Sequence, residues 1–308
     1  MTSLRDKEQL SETTFLMNGP YWHLFTSGKN TPLLFSNKSD FAFGMNVICK
    51  AAFEYQEIRI IAFEIMSNHL HFLISGDREI AVCFFDYMKK CILRGLSDRH
   101  PEDFSESFSP MLKAVENLRS LRYTIAYINR NGYVSDFGYT PFSYPWGTNN
   151  FYFFNYPQMP SYGETPFNLK RTMFRSRVPD ITDSWQVGDG YILPSSYCHI
   201  NIGMSLYRDA HQYFAMVSKG VEAYSEIAAE LDDSEFLSDT EIFKIIYKIL
   251  IDRYNLQSIR ELSKAQKQDI ARTLHFDYRS SNGQIRRLLG LTQYEVEMQF
   301  PLAGGSRG

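Results

Sequence analysis

The sequence lacks the features of a membrane, secreted or strongly charged protein. It has no run of about 18 apolar residues, and its polar first residues contain no hydrophobic segment of a signal peptide. Its four cysteines show no C-x-x-C pair or metal-binding spacing, which favours reduced thiols. The formal net charge is −3, so the chain as a whole gives no electrostatic reason to expect nucleic acid. We therefore expect a cytoplasmic protein with no membrane partner, in which any nucleic-acid site depends on local patches.

Aromatic residues, by contrast, are abundant. They make up 15% of the 308 residues, with 24 Phe and 20 Tyr, which argues against disorder. A chain of this length has room for one large domain or two modest ones. The expected organisation is a flexible leader over 1–19, a first domain over 20–150, an irregular basic connection over 151–205, a helical domain over 206–302 and a disordered tail over 303–308.

The first half of the chain predicts alternating strands and helices. Strand patterns cover Tyr21 to Thr26, Ile58 to Met66, His69 to Ile74 and Phe108 to Val115, and helix patterns cover Asp40 to Tyr55, Ile80 to Leu96 and Asn117 to Arg130. Pro110 would confine the fourth strand to a sheet edge. The order strand, helix, strand, strand, helix, strand describes a ferredoxin-like α+β fold on an antiparallel sheet, with one face available for a site.

Two histidines, His69 and His71, lie one residue apart in the third predicted strand. Strand side chains alternate between faces, so both imidazoles point the same way, a geometry that suits a single divalent metal ion. A two-residue hairpin loop that pairs Met66 with His69 would also place Glu64 opposite His71, and so bring a carboxylate beside the imidazoles. Two strand histidines that bind no metal are the commoner alternative.

Tyr127 lies off the apolar stripe of the helix that runs from Asn117 to Arg130. At about 100° per residue, Tyr127 and Asn131 are one turn apart and should project together from the non-core side. A tyrosine in that position is usually an amphipathic surface residue. Beside a metal ion it would instead be a nucleophile able to form a covalent intermediate.

These motifs resemble those of a known enzyme family. His69-Leu70-His71 after Met66-Ser67-Asn68, followed by the stretch Tyr127 to Asn131, resembles the single-tyrosine HUH transposases, and in particular the REP-associated tyrosine transposases. The resemblance covers roughly residues 20 to 150. Two positions depart from the family pattern: Ser67 stands where the family usually has proline, and Asn131-Gly132 stands where it usually has an Asn-Pro pair.

The resemblance implies a metal-dependent enzyme that cuts and rejoins single-stranded or hairpin DNA, including palindromic repeats, with Mg²⁺ or Mn²⁺ as cofactor. It assigns the metal to His69 and His71, the nucleophile to Tyr127, and a further metal ligand to Asn131. Glu64 as a metal ligand comes from the register argument alone. The product would be a 5′-phosphotyrosine link, which conserves the phosphodiester energy for rejoining.

Other functions stay open beside this one. A DNA-binding regulator could keep the fold and have lost turnover, and a metal-dependent nuclease could use water as its nucleophile. A homodimer and a monomer are both compatible with the sequence.

Basic residues are candidates for contacts with the DNA backbone. A run without acids spans residues 170 to 177, although such runs are usually solvated faces. From Arg260 to Arg287, seven basic residues stand against three acids. The predicted DNA-contacting residues are Lys89, Lys90, Arg130, Lys170, Arg171, Arg175, Arg177, Arg286 and Arg287.

The C-terminal part predicts helices and a helix-turn-helix. Capping boxes begin at Ser238, Ser263 and Thr292, and Gly290 supplies the turn before the last of these helices. That helix carries Glu295 and other acidic or amide residues but no basic residue, which suits a phosphate-lined groove poorly. A helical bundle that only packs is therefore an equal alternative to a DNA reader.

Overall fold

The computed structural model describes residues 4–27, 33–96, 108–132, 139–140, 142–218, 239–276, 278, 280 and 282–300. The chain divides into two compact units, the first made of residues 1–131 and 141–218, the second of residues 132–140 and 219–308. The boundaries expected at residues 150 and 206 do not coincide with this division, because the first unit continues to residue 218. The tail expected over residues 303–308 lies outside the described residues.

The first unit contains helices and all the strands of the described part of the chain. Its elements are, in order, α1 (Leu4–Asn18), β1 (Tyr21–Thr26), α2 (Lys38–Glu54), β2 (Arg59–Ile65), β3 (Leu70–Ser75), α3 (Arg78–Gly95), β4 (Pro110–Ala114), α4 (Leu118–Ile128), α5 (Phe167–Phe174), β5 (Val187–Gly188), β6 (Tyr191–Ile192), α6 (Ile200–Ser205) and α7 (Ala210–Val217), with 3₁₀ turns at Asn149–Phe151 and Pro194–Ser196. No helix in the described part of the chain has both the length and the apolar composition that crossing a membrane requires.

Strands β1 to β4 form one antiparallel sheet in the order β2–β3–β1–β4. The α+β class, the sequence of elements from β1 to β4 and the antiparallel pairing are as predicted. β4 lies at an edge and begins at Pro110, which pairs with Thr26. Proline has no N–H to donate, and it is tolerated at the first residue of an edge strand because no neighbouring strand needs that donor there.

Helices α2 and α3 start at residues that cap them with side-chain oxygens. Asn37 Oδ1 accepts a hydrogen bond from Asp40 N, and the Asp77 carboxylate accepts from Glu79 N and Ile80 N. The apolar side chains of α3 that recur at helical spacing are buried: Ala81, Phe84, Phe85, Met88 and Ile92. These two helices therefore form where the sequence predicts them.

The buried side of α3 packs on one face of the sheet. Phe84 of α3 meets Phe72 of β3 edge to face, with ring centroids 5.9 Å apart, and Phe63 of β2 stacks on Phe72 at 5.6 Å. Because side chains alternate along a strand, Glu64 and His71 point to the opposite face. We call this opposite face, which α4 covers, the site face.

The N-terminal segment is helical, whereas the sequence led us to expect a flexible leader. Ser11 of α1 donates a hydrogen bond to Ser205 O at 3.0 Å, and Glu8 forms an ion pair with Arg122 of α4 at 2.7 Å. Tyr21 Oη donates to Phe15 O at 3.0 Å. Polar contacts with other parts of the chain anchor this helix. The spacing of apolar residues in the sequence does not predict such contacts.

Residues 151–205 are part of the first unit, although the sequence predicts an irregular connection there. Tyr152 is buried and stacks on Tyr213 of α7 with ring centroids 5.1 Å apart, and its hydroxyl donates to Ile61 O of β2 at 2.8 Å. A segment rich in Tyr, Phe and Pro can bury its aromatic rings even though it forms no regular helix or strand. The aromatic content of these residues therefore indicates that they pack against the domain.

The second unit is helical, as predicted. Its elements are α8 (Asp239–Tyr254), a 3₁₀ turn at Ile259–Glu261, α9 (Lys264–Phe276), α10 (Asn282–Leu289) and α11 (Gln293–Gln299). The box at Ser263 has both of its hydrogen bonds with Gln266, and the box at Thr292 has both with Glu295. Gly290, between α10 and α11, has φ = 62°, a left-handed conformation that glycine adopts without steric cost. Ser238 lies outside the described residues.

Candidate active site

The β2–β3 hairpin brings three of the predicted site residues to the site face. Met66 N donates a hydrogen bond to His69 O at 2.9 Å, and Glu64 pairs with His71 in the strand register. Both pairings are those that the sequence predicts. The imidazole centroids of His69 and His71 are 4.9 Å apart, and the two rings are nearly perpendicular.

Hydrogen bonds hold the loop of this hairpin. Ser67 O accepts from Leu34 N at 2.8 Å and from Phe35 N at 2.9 Å. A proline would offer the same carbonyl, so the departure at Ser67 leaves these contacts intact. Asn68 Oδ1 accepts from His69 Nδ1 at 2.8 Å, which orients the ring so that Nε2 is the nitrogen that would bind an ion.

A third histidine, His23 of β1, joins the pair, and the sequence analysis missed it. Its Nε2 lies 3.3 Å from His71 Nδ1 in a buried hydrogen bond. Phe25 is the direct partner of His71 in the register, so His23, two residues earlier, is its diagonal neighbour on the same face. The alternation of Tyr21, His23 and Phe25 along β1 was the available signal.

Burial favours the neutral form of the His23 and His71 imidazoles. Desolvation lowers the pKa of His71 to about 3. It also lowers the pKa of His23 well below its ordinary value, with smaller contributions from the charges of His71 and Lys113. Neutral imidazole is the form that binds metal ions.

The donor set fits a metal ion in part. His69 and His71 each have Nδ1 engaged, by Asn68 and by His23, as is usual for metal-binding histidines. Among the described residues, however, no group of three or more histidine, cysteine, aspartate or glutamate side chains is arranged to hold a metal ion. Glu64 as a direct ligand is therefore not supported by this arrangement, and two imidazoles would need an amide or water as further ligands.

Tyr127 of α4 packs against the site face, with its ring close to those of His71 and His23. Its ring centroid is 5.5 Å from that of His71 and 6.0 Å from that of His23, with the planes nearly perpendicular in both pairs. The expectation that it projects from the non-core side is wrong, since its side chain is 1% exposed. Helix α4 is buried on both sides, which an analysis of one apolar stripe does not anticipate.

The residues that follow α4 are buried as well. Asn131 is 0% exposed and Arg130 is 3% exposed, so Arg130 is not a surface contact for phosphate in this conformation. Asn131 as a metal ligand stays a prediction. Asn129 Nδ2 donates to Tyr213 Oη at 3.0 Å, and Asn129 Oδ1 accepts from Thr148 Oγ1 at 2.8 Å.

Residues 146–148 pair with the outer edge of β2, next to Glu64. Ile65 N donates to Trp146 O at 2.8 Å, and Thr148 N donates to Phe63 O at 3.0 Å. A Cβ on Gly147 would lie 2.5 Å from Phe63 O and 2.4 Å from Glu64 Cγ, so this position requires glycine. This segment closes the β2 side of the candidate site.

Most of the predicted DNA contacts in the first unit lie away from the site face or are engaged elsewhere. Lys89 and Lys90 are on α3, which packs on the opposite face of the sheet. Arg175 forms an ion pair with Asp40 at 2.9 Å, and Lys170 Nζ lies 4.0 Å above the ring of Tyr162.

Other predicted DNA contacts are on the surface. Arg171 and Arg177 are exposed in the first unit, and Arg286 and Arg287 are exposed on α10 in the second. In α11, the Glu295 carboxylate forms an ion pair with Lys264 at 2.6 Å and also takes part in the capping box of its own helix. Its negative charge is therefore partly neutralised by Lys264.

Comparison with known proteins gives no relative from which a function can be transferred. No protein-family model, no curated protein and no solved structure matches the chain. The functional argument therefore depends on the residues described above.

Proposed function

We propose that this chain is a metal-dependent enzyme that cuts and rejoins single-stranded or hairpin DNA through a 5′-phosphotyrosine link on Tyr127. The observation that carries the proposal is the meeting of His69, His71 and Tyr127 on one face of the sheet, with the rings of His71 and Tyr127 5.5 Å apart. Two imidazoles able to share a metal ion, with a phenol in contact with one of them, would supply the two components that such a reaction needs.

The strand order supports the same proposal. The order β2–β3–β1–β4, with α2 and α3 between the strands, suits a ferredoxin-like core of the HUH endonuclease type. Helix α4, which carries Tyr127, follows β4 directly in the chain. Helices α10 and α11 of the second unit, which the sequence predicts as a helix-turn-helix, would add contacts to duplex or hairpin DNA.

Each residue of the candidate site would have its own role in this reaction. His69 and His71 would hold Mg²⁺ or Mn²⁺ through Nε2, with Asn68 and His23 fixing their rings. The ion would supply polarisation of the scissile phosphate and offset negative charge on the leaving oxygen. Tyr127 Oη would lose its proton and form a bond to phosphorus as the bond to the 3′ oxygen breaks, and that oxygen would take up a proton and leave as a 3′ hydroxyl. The reverse attack by this hydroxyl would rejoin the strand and return the proton to the phenol.

A second function is favoured by one observation, the burial of the site. Glu64 and His71 are 0% exposed and Tyr127 is 1% exposed, so a DNA strand reaches them only if the covering residues move. A regulator that binds DNA on this fold without cutting it requires no such opening. The two candidates therefore differ in whether Tyr127 ever reacts.

The test is covalent capture on a labelled single-stranded hairpin with Mn²⁺. The enzyme should form an adduct that survives denaturing electrophoresis and maps to a peptide containing Tyr127. Tyr127→Phe removes the hydroxyl alone and should abolish the adduct, while Tyr123→Phe, one turn earlier on α4, should retain it. Cleavage that persists in Tyr127→Phe would indicate water as the nucleophile, and DNA binding without cleavage would indicate the regulator.

A further inference from the structure

Helix α4 ends at Asn129, two residues after Tyr127. The Asn129 N–H donates to Ile125 O at 2.9 Å and also to Tyr127 O, so the end of the helix and the proposed nucleophile are joined through the backbone. The last turn of a helix frays unless neighbouring groups hold it. The place of the Tyr127 ring beside His71 therefore depends on what holds Asn129.

Two buried hydrogen bonds hold the Asn129 side chain, one at each side of its amide. Nδ2 donates to Tyr213 Oη of α7 at 3.0 Å, and Oδ1 accepts from Thr148 Oγ1 at 2.8 Å. All three residues are buried. A rotation of the amide would leave buried polar groups without their partners, which is unfavourable. Asn129 is therefore fixed with respect to both α7 and residue 148.

Thr148 extends this restraint to the strand that carries Glu64. Its Oγ1 accepts a hydrogen bond from Phe63 N at 3.0 Å, and its backbone N–H donates to Phe63 O at 3.0 Å. Phe63 directly precedes Glu64 in β2. One hydroxyl and one amide therefore connect the end of α4 to β2.

Tyr213 is held in place by neighbouring aromatic rings. Its ring stacks on that of Tyr152 with centroids 5.1 Å apart, and it meets Tyr207 edge to face at 5.2 Å. The Tyr152 hydroxyl donates to Ile61 O of β2 at 2.8 Å, and the Tyr207 hydroxyl donates to Arg122 O of α4 at 2.7 Å. Because both neighbours are anchored in this way, the Tyr213 hydroxyl has a defined position.

The surroundings of Tyr213 keep its phenol neutral. Burial raises the pKa of Tyr213 far above its ordinary value, the hydrogen bond from Asn129 lowers it in part, and the charge of Glu64 raises it. The hydrogen bond between Tyr213 and Asn129 is therefore independent of pH over the ordinary range. The contribution of Glu64 also shows that the phenol lies within electrostatic reach of the candidate site.

We propose that Tyr213 is a positioning residue of the candidate active site, and that it acts through Asn129 and Thr148 to fix the last turn of α4 against β2. The proposal rests on the proposed function and deepens it. It adds to the site a residue of α7, outside the residues, roughly 20 to 150, that resemble the single-tyrosine HUH transposases. Displacement of a reacting group by about 1 Å can cost about 100-fold in rate, so loss of the Tyr213 hydroxyl should slow the reaction of Tyr127.

The test compares two buried tyrosines of the same aromatic stack. Tyr213→Phe removes the hydroxyl that accepts from Asn129, whereas Tyr152→Phe, the matched control, removes a hydroxyl that bonds to β2 and not to α4. With Mn²⁺ and a saturating labelled hairpin, adduct formation in a single turnover should slow by about 10- to 100-fold in Tyr213→Phe and stay unchanged in Tyr152→Phe. Affinities for the hairpin, by fluorescence anisotropy, and for Mn²⁺, by titration calorimetry, should be the same in both.

Thr148 provides a check by conservative rescue. Thr148→Val removes the hydroxyl that donates to Asn129, and it should slow adduct formation as Tyr213→Phe does. Thr148→Ser keeps that hydroxyl and should restore most of the rate. Equal rates in the valine and serine variants would show that this hydroxyl does not position α4, and would overturn the proposal.

Hydrogen–deuterium exchange tests the same restraint without the reaction. The amides at the end of α4, those of Asn129 and Arg130, should exchange faster in Tyr213→Phe and at the unmodified rate in Tyr152→Phe. Equal exchange, or equal adduct rates, in the two phenylalanine variants would overturn the proposal. An unmodified protein that forms no adduct would reject the proposed function, and the exchange comparison alone would then decide whether Tyr213 holds the end of α4.

Discussion

The two sides of the candidate site differ in how they are built. The hairpin side, with Glu64, His69 and His71, is made by neighbouring strands joined by a two-residue loop. The helix side, with Tyr127 and Asn131, is positioned by α4 and by the residues that cover it, which come from distant parts of the chain. The first side follows from local register, and the second depends on tertiary packing.

This difference decides which side each substitution should disturb. A change on the hairpin side should affect metal binding without reaching the packing of α4. A change in the covering residues should lower the free energy of unfolding, because it acts on contacts that hold the site closed. Replacements at three places separate these effects: the pair His69 and His71, then His23, then Gly147.

Replacing both His69 and His71 by alanine should abolish Mn²⁺ binding, measured by isothermal titration calorimetry. The reason is that both proposed ligand nitrogens are removed at once. His211→Ala, an exposed histidine on α7, should bind Mn²⁺ as the unmodified protein does. Retained binding in the double variant, with an unchanged circular dichroism spectrum, would reject the metal site.

Replacing His23 by leucine should weaken Mn²⁺ binding by about 10- to 100-fold, because the partner that orients His71 is lost. His23→Gln keeps an oxygen that accepts a hydrogen bond from His71 Nδ1 and should restore most of the affinity. Equal affinities for both variants would show that His23 only fills space. The measurement is the same titration, with thermal unfolding to confirm that both variants are folded.

Replacing Gly147 by alanine should lower the free energy of unfolding by about 1–3 kcal/mol, since a Cβ there meets backbone and cannot be relieved by a side-chain rotation. Gly190→Ala is the comparison, because its Cβ would meet nothing within 4 Å and only its φ of +83° is unfavourable. We expect a smaller loss for Gly190→Ala in urea unfolding, about 1–2 kcal/mol from its left-handed backbone alone. The reverse order would contradict the close pairing of residues 146–148 with β2.

Much of the sheet could be predicted from the sequence because its signals are local. The alternation on both sides of Ser67 fixes the hairpin register, and Pro110 indicates the edge strand. Helix α2 begins at Lys38, two residues before the predicted start at Asp40, because Asn37 supplies the cap. Such errors at helix ends leave the position of the sheet unchanged.

The remaining features depend on partners that are far apart in the sequence. Helix α1 is held by an ion pair between Glu8 and Arg122, residues separated by 114 positions. The hydrogen bond between His23 and His71 joins strands that are neighbours in the sheet but 48 residues apart in the chain. Sequence periodicity records which face a residue takes on its own element, and it does not record what covers that face.

The pairing of residues 146–148 with β2 also bears on how the sheet avoids aggregation. An uncovered edge strand is a template on which another chain can add by backbone hydrogen bonds. At the β2 edge that template is occupied in part by Trp146 and Thr148. The opposite edge is β4, a strand of five residues that begins at Pro110 and carries Lys113, both of which discourage strand addition. Intermolecular growth of this sheet is therefore opposed at both of its edges.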